Sequence, residues 1–259
     1  MDKKLIMPCM DIKDGRVVKG RKFEGIVDVA DPVELARFYN YSGADNLIFY
    51  DIAASVNKKS IFISLLRRVK AVVSIPLIVG GGMKDIEDVK KIMDCGASQI
   101  SINSGAIVNP EFIADASREF GSEVVMLSMD VKKVGNEYHV FSTAGTVDTG
   151  IEAIQWAKQA TQNGAGSIVV NSIDADGMKD GYNIDLLQTF SDTINIPLIA
   201  SGGAGKIEDF IEVFKIKNVR GALAASVFHY KDIEIKELKK ALKASEIKAV
   251  DKEIAEENQ

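Results

Sequence analysis

Two aspartates stand where chemistry would put them. Asp11 follows the apolar run Leu5–Met10 in "MPCMDIKDGRVVKG", and Asp130 ends a second run in "VVMLSMD". A carboxylate at the mouth of a buried strand either caps a turn or, partly desolvated, has its pKa raised toward the range useful for general acid–base work. The capping role suits Asp14 better than Asp11, because "KDGR" is itself a turn. Asp51 ends a further apolar run, and "IDADG" supplies Asp174 and Asp176. For Asp51 and Asp176 two roles stand level, chemistry on one side and backbone shaping or lysine pairing on the other. Lys19 follows two valines on the loop after Asp11, where it could neutralise a phosphate or a developing negative charge.

Glycine-rich turns at strand ends expose backbone N–H groups to anions, above all where a helix follows. Gly81-Gly82 goes with "INSG" (Asn103, Ser104), and Gly202-Gly203 goes with "AAS" (Ala225, Ser226). Two such cradles predict a long substrate with a phosphate at each end. Nothing supports a serine or cysteine nucleophile. His139 reads as surface and His229 as packing, neither with an obvious partner. Cys9, two residues before Asp11, shares its strand face and reads as a small core residue.

The elements that must position these groups alternate strictly. Apolar runs near 4–10, 47–51, 76–80, 99–103, 124–129, 167–172, 197–201 and 221–225 read as strands, each followed by an amphipathic stretch. Pro110 opens one helix, and Gly43, Gly96 and Gly164 close others. Eight strand–helix pairs favour a closed parallel (β/α)8 TIM barrel, an α/β fold whose active sites lie at the C-terminal rim of the strands. The loops 11–30 and 131–149 are long, and Gly135-Asn136 in the second suggests a hairpin. An internal repeat sharpens the picture: "IPLIVGGGMKDIED" (75–88) and "IPLIASGGAGKIED" (196–209) match at nine of fourteen positions, offset by 121. "GADNLIFYDIA" (43–53) and "GAGSIVVNSID" (164–174) align weakly at the same offset. The repeating unit is half a barrel, so residue types should recur on opposite sides of the ring. No linker divides residues 1–259, which read as one domain with a charged tail fraying from about 245.

Bulk properties narrow the function. The net charge of −5 argues against a nucleic-acid binder. Two isolated cysteines argue against a disulfide framework or a zinc site. The N-terminal apolar stretch is too short for a signal peptide, and no run approaches membrane-spanning length. The chain reads as cytoplasmic.

Taken together, "PCMDIKDGRVVKG", "GGG", "SIN", "SIDADG.KDGY" and "IASGGAG…ALAASVFH" resemble the cyclase subunits of imidazole glycerol phosphate synthase from histidine biosynthesis. The resemblance runs from Lys4 to about Leu242. It implies a lyase in which ammonia, released by a separate glutaminase subunit in a heterodimer, crosses the barrel. There it meets a two-phosphate substrate, a phosphoribulosyl formimino aminoimidazole carboxamide ribotide, and yields imidazole glycerol phosphate and an aminoimidazole carboxamide ribotide. Carried over, Asp11 and Asp130 are the general acid–base pair and Lys19 assists from the loop. Gly82, Asn103, Ser104, Asp176, Gly177, Gly203 and Ser226 line the phosphate cradles, with Asp51 beside them. No metal or organic cofactor is implied. The sister isomerase of the pathway shares the half-barrel duplication, but its first-strand motif typically differs from this one.

The chain departs from the family in two places. The resemblance implies an ammonia gate of Arg, Glu, Lys and Glu at the N-terminal face, whereas the matching positions here are Leu5, Asn46, Gln99 and Ser167, all neutral. At the rim, Asn171 and Met178 replace threonines, Ala175 an arginine and Ala144 a small polar residue. An alternative therefore stands beside the cyclase: a paralogous ammonia-relay barrel serving a sugar amidotransferase in surface-polysaccharide biosynthesis.

Overall fold

Strand side chains alternate between two faces, and that alternation sorts this chain into a lumen and an outer layer. The computed structural model describes residues 3–21, 24–52 and 59–250. Its first half runs β1 (Leu5–Lys13), β2 (Arg16–Arg21), β3 (Glu24–Ala30), α1 (Pro32–Ser42), β4 (Leu47–Asp51), α2 (Lys59–Lys70), β5 (Leu77–Gly80), α3 (Ile86–Met93), β6 (Gln99–Ile102), α4 (Ser104–Val108) and α5 (Glu111–Phe120). The second half runs β7 (Val125–Val134), β8 (Glu137–Ser142), β9 (Val147–Glu152), α6 (Ala153–Gln162), β10 (Ser167–Ser172), α7 (Ile184–Thr193), β11 (Leu198–Ser201), α8 (Ile207–Val213), β12 (Val219–Ala224), α9 (Ser226–His229) and α10 (Ile235–Ala244).

Eight of these strands pair in parallel in the order β1-β4-β5-β6-β7-β10-β11-β12, and β12 returns to β1. The result is the closed (β/α)8 barrel expected from the alternation of elements. Along β1, Met7 and Cys9 point into the lumen, while Ile6, Met10 and Ile12 join the outer core beneath the helices. Ile48, Ile78, Met126, Val169, Ile199 and Leu223 complete the lumen cluster, one from each of six other strands. The remaining strand, β6, turns Ser101 inward, a point taken up below.

The structure differs from the sequence expectation at both barrel mouths. Strands one and five do not end at their aspartates. The Asp14-Gly15 turn, with φ of 51° and 78°, folds the chain back so that β1 continues to Lys13 and pairs antiparallel with β2, Asp11 lying opposite Val18. β3 adds a third strand. The second half repeats the device: β7 runs on to Val134, the Gly135-Asn136 turn follows, and β8 and β9 complete another three-stranded meander. Residues 22 and 23 of the first long loop, Ala53 of the repeat and 251–259 of the tail lie outside the described residues. Up to Val250 the C-terminal segment packs on the N-terminal face, where the Lys4 N–H donates to Lys248 O at 2.8 Å and Lys239 Nζ to Val250 O at 2.9 Å.

Lys239 also ties α10 to the barrel through a buried ion pair. Its Nζ lies 2.7 Å from Asp45 Oδ1, and Asp45, 2% exposed, accepts the Ile6 N–H with its other oxygen at 2.8 Å. Removing one partner of such a pair strands a buried charge. Asp45→Ala is expected to lower unfolding free energy by about 3 kcal/mol, read as a shifted urea midpoint. An unchanged midpoint would show that the pair does not hold the helix to the barrel.

Candidate active site

The C-terminal ends of the eight strands enclose a cavity of about 780 Å³. Asp11 on β1 and Asp130 on β7 stand four strands apart in a ring of eight, so they face each other across it, and both line it. Each sits where its strand leaves the barrel wall and enters a meander.

Asp11 is held by a cation. β2 carries Lys19 back over the rim, placing Nζ 3.9 Å from Asp11 Oδ2 and 3.7 Å from Asp176 Oδ1. Burial raises the Asp11 pKa above its ordinary value, Lys19 opposes this and Asp176 reinforces it. Burial works against the Lys19 charge too, but Asp11 and Asp176 outweigh it and raise its pKa. Asp176 therefore pairs with a lysine. Asp174 points elsewhere and accepts the Lys133 N–H of the second meander at 3.4 Å.

Asp130 is held by amides. Asn103 Nδ2 donates to Oδ2 at 3.0 Å and Asn171 Nδ2 to Oδ1 at 2.9 Å, while Ser201 Oγ donates to Asn171 Oδ1 at 2.9 Å and fixes that side chain. Burial raises the Asp130 pKa, and the two amide donors, which favour the ionised form, restrain it. Asn171, one of the departures at the rim, thus touches Asp130 directly.

The glycine turns lie to either side of the two acids. Gly81 and Gly202, offset by 121, have φ of 99° and 87°; a Cβ at either would run into the carbonyl oxygen of the preceding strand's end, Asp51 and Ser172, which share the same offset. Glycine is required there to bring the backbone so close. Asp51, Gly82, Asn103 and Ser104 line one end of the cavity, Gly177, Gly203 and Ser226 the other. The short helices α4 and α9, absent from the sequence reading, open at these two ends. Neither N-cap, Asn103 or Ala225, places a side-chain bond on its first turn, so the first-turn N–H groups are not side-chain-capped at the cavity. Of the other rim departures, Ala144 lines the cavity and Met178 is 48% exposed.

The four positions expected to form a gate lie at the opposite end of the strands. Leu5 packs under the lumen cluster, Asn46 is half-buried, Gln99 Nε2 donates to Glu123 O at 2.6 Å, and Ser167 is buried with its Oγ unpartnered. The neighbouring charges turn away from the axis: Lys4 Nζ donates to Val219 O, and Asp45 faces Lys239.

Both histidines have partners that the sequence did not suggest. His229 Nδ1 lies 2.6 Å from Tyr39 Oη, and burial lowers its pKa to about 4, which suits a neutral packing residue. His139 Nδ1 lies 3.0 Å from Asp148 Oδ2 across the second hairpin. Burial raises the Cys9 thiol pKa well above normal, in keeping with a core residue. Sequence reasoning missed Tyr50, Ser101 and Ser128, which line the floor of the cavity. The signal was available: Ser128 stands two residues before Asp130, as Cys9 stands two before Asp11, and so shares its inward face.

Comparison with known proteins agrees with this geometry. The histidine biosynthesis protein family matches residues 5–234. The imidazole glycerol phosphate synthase subunit HisF of Sulfolobus acidocaldarius is 47% identical over 93% of this chain and 96% of its own length. The subunit of that name from Oceanobacillus iheyensis is 49% identical over 94% and 96%, and that of Sulfurisphaera tokodaii 47% over 93% and 96%.

The amide clamp on Asp130 gives a signed expectation. Asn171→Leu removes an N–H that stabilises the ionised carboxylate, so the Asp130 pKa must rise, by about one unit for a hydrogen bond to a charged group. Carbon-13 NMR titration of the aspartate carboxyls reads this directly, and a downward shift would contradict the clamp.

Proposed function

This chain belongs to the histidine biosynthesis protein family, and within it to the HisF subunits of imidazole glycerol phosphate synthase; from that membership we propose how its site works. It is the cyclase subunit of that synthase, an enzyme of histidine biosynthesis. The two-phosphate ribulosyl substrate lies across the cavity with one phosphate in the Gly82–Ser104 cradle and the other in the Gly203–Ser226 cradle. Its ketone is then held between Asp11 and Asp130.

One observation carries this reading: two desolvated carboxylates face each other in one cavity, midway between two glycine turns related by the internal repeat. Ammonia adds to the ketone carbon. At the addition and again at the loss of water, one carboxyl donates a proton to the oxygen and the other accepts one from nitrogen, so that the oxygen, twice protonated, leaves as water and the imine forms. The same pair then serves the cleavage and ring closure. Lys19, between Asp11 and Asp176, balances charge as protons move. The two carboxyls act as a pair.

A glutaminase subunit supplies ammonia at the N-terminal face and completes a heterodimer. There the neutral ring of Leu5, Asn46, Gln99 and Ser167 leaves no fixed charge for a neutral molecule to displace. The relay reading finds less support, since the three relatives above carry the synthase subunit's name and this chain keeps Asp11, Asp130, Lys19 and both glycine turns.

The test supplies the purified chain with the two-phosphate substrate and an ammonium salt at pH about 8.5, where free ammonia is appreciable. Turnover is expected without any glutaminase. Asp11→Asn is expected to reduce it by a factor of at least about 10², with the substrate KM little changed. A folded wild-type chain that gives no product would return the relay reading to first place. Because burial raises both carboxyls, the acid limb of the pH–rate profile is expected above the ordinary aspartate range, with activity lost as pH falls and the base becomes protonated.

A further inference from the structure

Seven of the eight barrel strands give the lumen an apolar side chain, and β6 gives Ser101. That exception is built into a cluster. Tyr50 reaches from β4 across β5 to β6, its Oη 3.0 Å from Ser101 Oγ, and Ser128 on β7 lines the same cavity beside it. The ring crosses β5 over Gly80, where a Cβ would lie 2.5 Å from it, so glycine at that strand position makes room for the tyrosine. All three hydroxyls line the floor of the cavity.

The cluster continues upward on the same wall. Asn103 stands two residues beyond Ser101, and Asp130 two beyond Ser128, so each pair shares an inward face. Asn103 spends its amide N–H on Asp130, and that contact fixes which way its Oδ1 points. Oδ1 is buried and has no partner. A buried acceptor left unmet costs free energy until a donor arrives. The facing wall differs in kind: Val169, Ile199 and Leu223 offer no hydrogen bond.

We infer that Tyr50, Ser101, Ser128 and Asn103 Oδ1 form a docking subsite for the small amine nucleophile, ammonia, beneath Asp130. The inference rests on the cyclase reading and adds a place for its second reactant. Ammonia has one lone pair and three N–H bonds. A hydroxyl of the cluster donates to the lone pair, and a serine oxygen and Asn103 Oδ1 accept N–H bonds. Burial keeps the Tyr50 phenol neutral, so its hydroxyl proton is retained throughout the working pH range. Among the described residues lining the cavity, no carboxylate lies on this wall below Asp130, which suits the uncharged amine. Beside Asp130, the bound nitrogen lies next to a group able to take its proton as the bond to carbon forms.

The test has two arms. In the first, steady-state turnover of the two-phosphate substrate with ammonium salts compares the wild type with Tyr50→Phe, which keeps the ring over Gly80. The KM for ammonia is expected to rise about five- to tenfold, the value of one hydrogen bond, while the KM for the two-phosphate substrate stays within about twofold. Equal movement of both constants, or of neither, overturns the subsite. In the second arm, crystals of the wild type and of Tyr50→Phe are soaked in methylamine at high pH. Density for methylamine within hydrogen-bonding distance of Tyr50 Oη and Asn103 Oδ1, lost in the variant, is the expected result. Water alone in the wild-type crystals overturns the inference. Methylamine bound in a wild type that turns over no substrate would instead sink the cyclase reading and leave an amine site standing.

Discussion

A carboxylate taken out of water must be given charge or hydrogen bonds in return, and the open end of this barrel is arranged around two that are. Asp11 receives a cation, Lys19, and Asp130 receives the amides of Asn103 and Asn171. Each solution makes demands on the scaffold. Lys19 reaches Asp11 only because the Asp14-Gly15 turn folds β2 back onto β1. The amides reach Asp130 because β6 and β10 flank β7 in the closed ring, and Ser201 on β11 steadies Asn171 in turn.

The internal repeat explains why the site has two similar ends and two dissimilar acids. Backbone features recur in the two halves: the strand-end glycines Gly81 and Gly202 at the offset itself, and, within a residue or two of it, the short helices α4 and α9 and the three-stranded meanders begun by β1 and β7. Side chains at the centre have diverged, so the first-half carboxylate is paired with a lysine and the second-half one with asparagines. Symmetry thus supplies two similar glycine turns, one at each end of the cavity, while asymmetry gives the two acids different surroundings.

Down the axis, polarity is distributed with the same economy. At the floor of the cavity the β10–β12 wall presents Val169, Ile199 and Leu223 while the β4–β6–β7 wall presents hydroxyls, and Leu5, Asn46, Gln99 and Ser167 at the N-terminal mouth carry no charge. The charges of that face are used sideways, in the Asp45–Lys239 pair and in Lys4 against backbone carbonyls, where they hold α10 and the C-terminal segment to the barrel.

The sequence by itself determined the ring and its repeat. Short apolar runs, helix punctuation by Gly43, Gly96 and Gly164, and the offset of 121 are read along the chain itself, without reference to which elements meet in space. It also placed both glycine turns at strand ends and Asp11 and Asp130 at the same rim, although β1 and β7 run on past the two acids. Only the tertiary structure decided who meets whom there. Lys19 lies between Asp11 and Asp176, 157 residues apart in sequence from the latter; Asn171 bonds Asp130 across adjacent strands; Tyr50 crosses Gly80 to reach Ser101. Such contacts are set by ring closure and strand register, which fix side-chain distances to within a hydrogen bond. No spacing along the chain encodes that.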